Sequence, residues 1–168
     1  PWTIPANMAI ALHPELEYSL VDTDRGKLLI ASELAEEVVE RIGLEFHGEL
    51  ERYTGRELEY VVCKHPLYDR ESLVILGDHV TLEEGTGCVH TAPGHGHEDF
   101  EIGAQYDLDI VQPLDEGGFF TKDAPLFDGM FYDDANPAIT KELEERDRLL
   151  DLSFITHQYA HCWRCKSP

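Results

Sequence analysis

Gly85-Thr86-Gly87-Cys88-Val89-His90-Thr91-Ala92-Pro93-Gly94-His95-Gly96-His97-Glu98-Asp99 is the densest set of groups able to act on a ligand, with three of the nine histidines in eight positions. Alternation along a strand from Gly87 to Thr91 puts Cys88 and His90 on one face. Pro93-Gly94 and Gly96 then make an open turn whose backbone N–H groups can approach a ligand. Asp99 opens the next helical pattern, where a buried carboxylate can hold a ligand ammonium through a charge-assisted hydrogen bond. The bland alternative for the whole stretch is a solvated surface loop.

Two sharper chemistries compete for the same residues. His95-x-His97-x-Asp99 has the spacing of a zinc loop and resembles the start of the His-x-His-x-Asp-His signature of the metallo-β-lactamase fold, in which zinc makes hydroxide near neutral pH. Here the sixth position is Phe100. Cys88 with His90 would suit a thiol hydrolase, but no basic residue is close in sequence and no helix begins at the cysteine, so a small core residue is the simpler reading of Cys88. Near the C-terminus Cys162-x-x-Cys165 has metal-ligand spacing. Unless His157 and His161 complete it, it is half of a zinc site with partners elsewhere, or a free reduced pair.

The elements that must position these groups are short. Met8–Leu12 and Tyr18–Val21, with Asp24-Arg25-Gly26 turning into Lys27–Ile30, read as a β-hairpin pattern. Ser32 reads as the cap of a helix whose apolar residues recur at helical spacing until Gly43 stops it. Leu58–Lys64, Ser72–Leu76 and Gly87–Thr91 are β-rich, Glu98–Tyr106 is helical, and Asn136-Pro137 reads as the N-cap and first turn of a helix to about Leu150. The expectation is a single α+β domain over 1–168, with a β-barrel-like core of short strands and about three peripheral helices.

The 13 Lys+Arg against 34 Asp+Glu give a net charge of −21 over 168 residues. Such a chain repels phosphate backbones at long range, so nucleic acid is an unfavourable partner on composition alone. No apolar run approaches the roughly 20 residues of a membrane helix. Four unevenly spaced cysteines suit a reducing compartment, and the expectation is a soluble, cytoplasmic, unexported piece of something larger.

Three segments together change the weighting. Pro1-Trp2-Thr3-Ile4-Pro5-Ala6-Asn7, Gly85 through Asp99, and His161-Cys162-Trp163-Arg164-Cys165 resemble, in order and spacing, successive landmarks of the editing (CP1) domain of bacterial-type isoleucyl-tRNA synthetase. The resemblance implies proofreading: hydrolysis of valine wrongly esterified to the isoleucine tRNA, and of valyl-adenylate. One methylene offers only about 1–3 kcal/mol of discrimination, so a second sieve is needed, and isoleucine against valine is itself the standard illustration of that limit.

By resemblance, Asp99 grips the amino acid's α-ammonium, and the His90 ring limits side-chain size. Trp2, Thr3 and Tyr159 line the pocket. Asn7 is a polar group near the ester that helps to place water, which with Thr3 and Asp99 makes the catalytic set. Main-chain groups of Gly85 to Val89, Gly87 among them, help to hold the terminal adenosine, and Thr91 is a further substrate-binding residue. Editing would need no cofactor, while Cys162 and Cys165 would give half of a structural zinc site in the longer enzyme. The parent synthetase, which binds ATP, would present the tRNA 3′ end, leaving this chain little tRNA affinity of its own. In the family a threonine-rich strand precedes the position of Pro1, so an isolated chain is expected to be weak. The alternatives are the zinc metallohydrolase through His95, His97 and Asp99, and a silent domain that only binds small amino-acid analogues.

Overall fold

The computed structural model describes residues 1–83, 85–154 and 163–164. Seven strands form two sheets: β1 (Ala9–Leu12), β2 (Glu17–Thr23), β3 (Gly26–Ala31), β4 (Phe46–Thr54), β5 (Val62–Lys64), β6 (Glu71–Leu76) and β7 (Cys88–Thr91). The first sheet has the order β5-β6-β1-β7, with β1 parallel to β6 and antiparallel to β7. The second, β3-β2-β4, is antiparallel throughout. A seam joins them: Ala31 N–H donates to Thr86 O at 2.9 Å, the Tyr18 hydroxyl to Gly87 O at 2.8 Å, and the Cys88 thiol lies on Leu29 O. Leu12, Tyr18, Ala31 and Val74 fill the space behind it, so the strand core continues across both sheets.

Gly87 makes this seam possible. Its φ is +74°, in the left-handed region, and a Cβ there would lie 2.5 Å from the Ala31 Cβ. Gly87→Ala should therefore lose about 2–4 kcal/mol, from backbone strain plus overpacking. Gly85, at φ +79° with open space around it, is the control; Gly85→Ala should lose only about 1 kcal/mol. Urea midpoints of the two variants check the difference.

Helices α1 (Ala35–Arg41), α2 (Gly55–Leu58), α3 (His97–Gln105) and α4 (Ala135–Glu145) surround the strands. Val38 and Val39 of α1 cover Val21 and Ile30, whereas Ile102 of α3 covers Ala9, Ala11 and Ile75 of the other sheet. Ile139 and Leu143 of α4 close on Phe120 and Phe127, with Trp2 and Ile4 at the margin. Site residues thus hang between β7, α3 and the α4 cluster.

Several local expectations needed correction. The hairpin is β2–β3 alone; β1 crosses to the first sheet, where β6 and β7 flank it. Ser32 opens a 3-10 turn, Ser32–Leu34, and its hydroxyl meets Ser19 Oγ at 2.7 Å without capping α1. Gly43 does end that helix, its N–H reaching Glu40 O and the Leu44 N–H reaching Val39 O, the paired bonds of a Schellman turn. Leu58 belongs to α2, which a Thr54/Glu57 capping box starts, and the strand begins only at Val62. Asp134, not Asn136, stands at the start of α4, which stops at Glu145 and not near Leu150.

Candidate active site

The segment before β1 is held by its main chain. A 3-10 turn, Ile4–Ala6, carries it, and Pro5 fits the first turn, where no N–H is required. His65 Nε2 donates to Ile4 O at 3.0 Å, Arg70 donates to Pro5 O at 2.6 Å, and the Trp2 N–H donates to Asn136 Oδ1 at 2.9 Å.

His65 is 5% exposed, and its Nδ1 accepts from the Leu67 and Tyr68 N–H groups. Both ring nitrogens are spent on the neutral form. Burial first, and then the Arg70 charge, lowers its pKa to about 4. The folded state thus binds fewer protons than the unfolded one, and stability is lost as pH falls from the ordinary histidine range near 6.5 toward 4. Between about pH 7 and pH 4.5 the loss should be about 2–3 kcal/mol larger than in His65→Gln. Urea unfolding of both proteins at the two pH values tests this.

On β7, His90 faces the same way as Cys88, as alternation requires. The Asn7 Nδ2 lies 2.8 Å from His90 Nδ1 and 2.8 Å from Ala9 O; Asn7 Oδ1 receives the Ser72 hydroxyl at 2.6 Å; and His90 Nε2 lies 3.1 Å from Thr3 Oγ1. Asn7 and Ser72 are buried, whereas Thr3 and His90 are half-buried. Burial lowers the His90 pKa against the opposing pull of Asp99, which favours the neutral ring. Burial also pushes the Cys88 thiol up to about 11, which withholds the thiolate that a thiol hydrolase needs.

Asp99 occupies the third position of α3. Its Oδ2 accepts the Ala92 N–H at 2.7 Å, closing the turn, and its Oδ1 has no hydrogen-bond partner among the described residues. The His95 ring meets Trp2 edge to face at 5.0 Å, and its buried Nε2 also lacks a partner among the described residues. Burial lowers the His95 pKa too, opposed by Asp99. Trp2, Thr3, His90, His95 and Asp99 therefore make one corner with an unspent carboxylate oxygen. Behind it is a cavity of about 560 Å³, where His90, Asn7 and Ser72 meet apolar Ile10, Leu28 and Ile30 together with Arg41, Lys64 and Arg148.

The remaining expected residues fall elsewhere. Gly87 sits at the seam, and Thr91 is fully buried with its hydroxyl toward Val89 O, closed to a ligand. Tyr159, Cys162 and Cys165, with His157 and His161, lie outside the described residues. The zinc triad does not assemble: His97 is exposed and faces Glu101, His95 meets Trp2 edge to face, and Asp99 serves the turn. Among the described residues no three metal-ligating side chains converge. Sequence reading missed Ser72, His65 and the tertiary role of Asn136. Only Asn136 carried a local signal, and that signal pointed to a helix cap.

A family model described as the editing domain of leucyl-tRNA synthetase matches residues 9–144. Isoleucine–tRNA ligase of Natranaerobius thermophilus is 60% identical over 99% of this chain, and that of Moorella thermoacetica 56% over 100%; in each case the match spans 18% of the relative. The chain thus spans under a fifth of the length of the curated relatives it matches. The isoleucine–tRNA ligase of Geobacillus thermodenitrificans stands likewise at 56%. A crystal structure described as GlLeuRS-CP1 superposes with a TM-score of 0.70, covering 93% of this chain and 82% of that one at 15% identity, which speaks to the fold. Matched by the family model over most of its length and by isoleucine–tRNA ligases from end to end, the chain belongs to the family of tRNA synthetase editing domains.

Proposed function

We propose that this chain is the site at which an isoleucine–tRNA ligase hydrolyses valine mistakenly esterified to isoleucine tRNA, with valyl-adenylate as a second target. The observation that carries the reading is the Asp99 Oδ1, without a hydrogen-bond partner among the described residues, in the same corner as a His90 whose burial favours the neutral ring. An ammonium fits the carboxylate, and a short aliphatic side chain fits against the imidazole. The described residues supply no activated nucleophile, so catalysis rests on holding the ester for water and on fixed donors for the oxyanion. Editing then needs no cofactor, and a structural zinc at Cys162/Cys165 is a separate matter of the longer enzyme.

The partner is the 3′ end of a tRNA held by the parent enzyme, which places the reaction in the cytoplasm. An acidic chain needs little affinity of its own when the parent supplies effective concentration. No described helix is long and apolar enough to cross a membrane.

The test is deacylation of valyl- and isoleucyl-tRNA, both on the isoleucine acceptor, by the ligase containing this chain, with and without chelator. Selective, chelator-insensitive release of valine is expected. Cleavage that follows chelator and ignores the amino acid would overturn the reading.

A further inference from the structure

Ser72 lies on β6 and reaches Asn7 across 65 positions of sequence because β6 runs parallel beside β1. Hydrogen-bond directions around it are forced by donor chemistry. A carbonyl only accepts, so Ala9 O fixes which end of the Asn7 amide is the NH₂. That NH₂ also faces His90 Nδ1, which must accept. A neutral imidazole then carries its proton on Nε2, and that N–H donates to Thr3 Oγ1. At the other end the Ser72 hydroxyl donates to Asn7 Oδ1. Every bond in the row points one way, which polarises its members cooperatively. Thr3 receives the last of them, and its own hydroxyl proton meets no acceptor among the described residues.

We propose that Ser72 is a positioning residue of the proofreading site: through Asn7 it holds His90 in the Nε2–H tautomer, and this leaves Thr3 as a hydroxyl donor toward the reacting ester. The inference rests on the proofreading reading and adds the polarity of its donor. As water adds to the carbonyl carbon, the C=O π pair moves onto oxygen, which takes the Thr3 hydrogen bond without removing the proton. The ester C–O bond then breaks, and the ribose oxygen leaves with a proton from the attacking water. Thr3 ends the cycle unchanged.

Asp99 on α3, His95 in the turn before it, His65 behind Ile4 and the chain's amino group all act on His90 or its surroundings. They are the same in the wild-type and Ser72-variant 168-residue chains, so a change in His90 titration between those reports on Asn7. In the ¹⁵N-labelled 168-residue chain, imidazole nitrogen shifts should show His90 protonated on Nε2. In Ser72→Ala, the Asn7 amide is freed to swing off Nδ1, and His90 should titrate at a higher pH. In the full ligase the same change should lower kcat for valine release on the order of 3- to 10-fold, with KM unchanged, and Ser72→Thr should restore both readouts. A wild-type Nδ1–H tautomer overturns the proposal without any variant. So does a Ser72→Ala protein with His90 titration and kcat both unmoved. A ligase that releases no valine at all would sink the proofreading reading, while the nitrogen shifts still decide the direction of the relay.

Discussion

Asp99→Asn should reduce kcat/KM for valyl-tRNA deacylation about 10- to 150-fold while leaving the fold intact. The size follows from losing one charge-assisted hydrogen bond to an ammonium, worth about 1.5–3 kcal/mol, because the amide NH₂ left at that position donates and cannot accept. The asparagine is the informative variant because the carboxylate has two separate tasks. Its Oδ2 closes the turn on the Ala92 N–H, and an amide oxygen can take over that bond. Its Oδ1 is the oxygen left for substrate, and only a carboxylate brings charge there. Asp99→Ala loses both tasks and should also melt earlier. Full activity in Asp99→Asn, measured beside an unchanged urea midpoint, would reduce Asp99 to a turn residue and remove the main support for amino-acid recognition.

If the proposed proofreading holds, His90→Ala should abolish the preference for valine over isoleucine. With the imidazole gone, the corner opens into the cavity behind it, and isoleucyl-tRNA should be hydrolysed at a rate within a few-fold of valyl-tRNA. The wild-type preference that collapses is of the order of 10- to 200-fold, the range a single methylene commands. Some valine activity should also go, because Thr3 loses its donor and the Asn7 NH₂ loses an acceptor. Competing deacylation of both esters gives the ratio directly. If isoleucine remained protected while valine release fell, His90 would act through Thr3 alone, and the size limit would lie in another side chain.

Elements with strong local signals were legible in the sequence. The Asp24-Arg25-Gly26 turn, the Gly43 stop and the acidic opening of α3 all appear within a residue or two of their places. β4 was missed because its nine residues are exposed or half-buried on both faces, so no apolar alternation marks it. Its existence is decided by pairing with β2, which sequence periodicity does not report. In the same way Asn136 has the chemistry of a cap, yet its amide meets Trp2, 134 positions away. The corner itself was legible as residue types through a resemblance. The row that joins them was not, since Ser72, Asn7 and His90 meet only after β6 and β7 have paired on either side of β1.

Residues 2 to 5 are gripped at an amide and two carbonyls by Asn136, His65 and Arg70. Anchors on the backbone do two things that anchors on side chains cannot do together. They leave little ordering entropy to be lost when a substrate arrives, so the corner is preorganised. They also leave the side chains of the segment free to change without moving the chain path. A fold held this way tolerates wide change in the side chains that line it. GlLeuRS-CP1 shares the fold, with a TM-score of 0.70, at 15% identity.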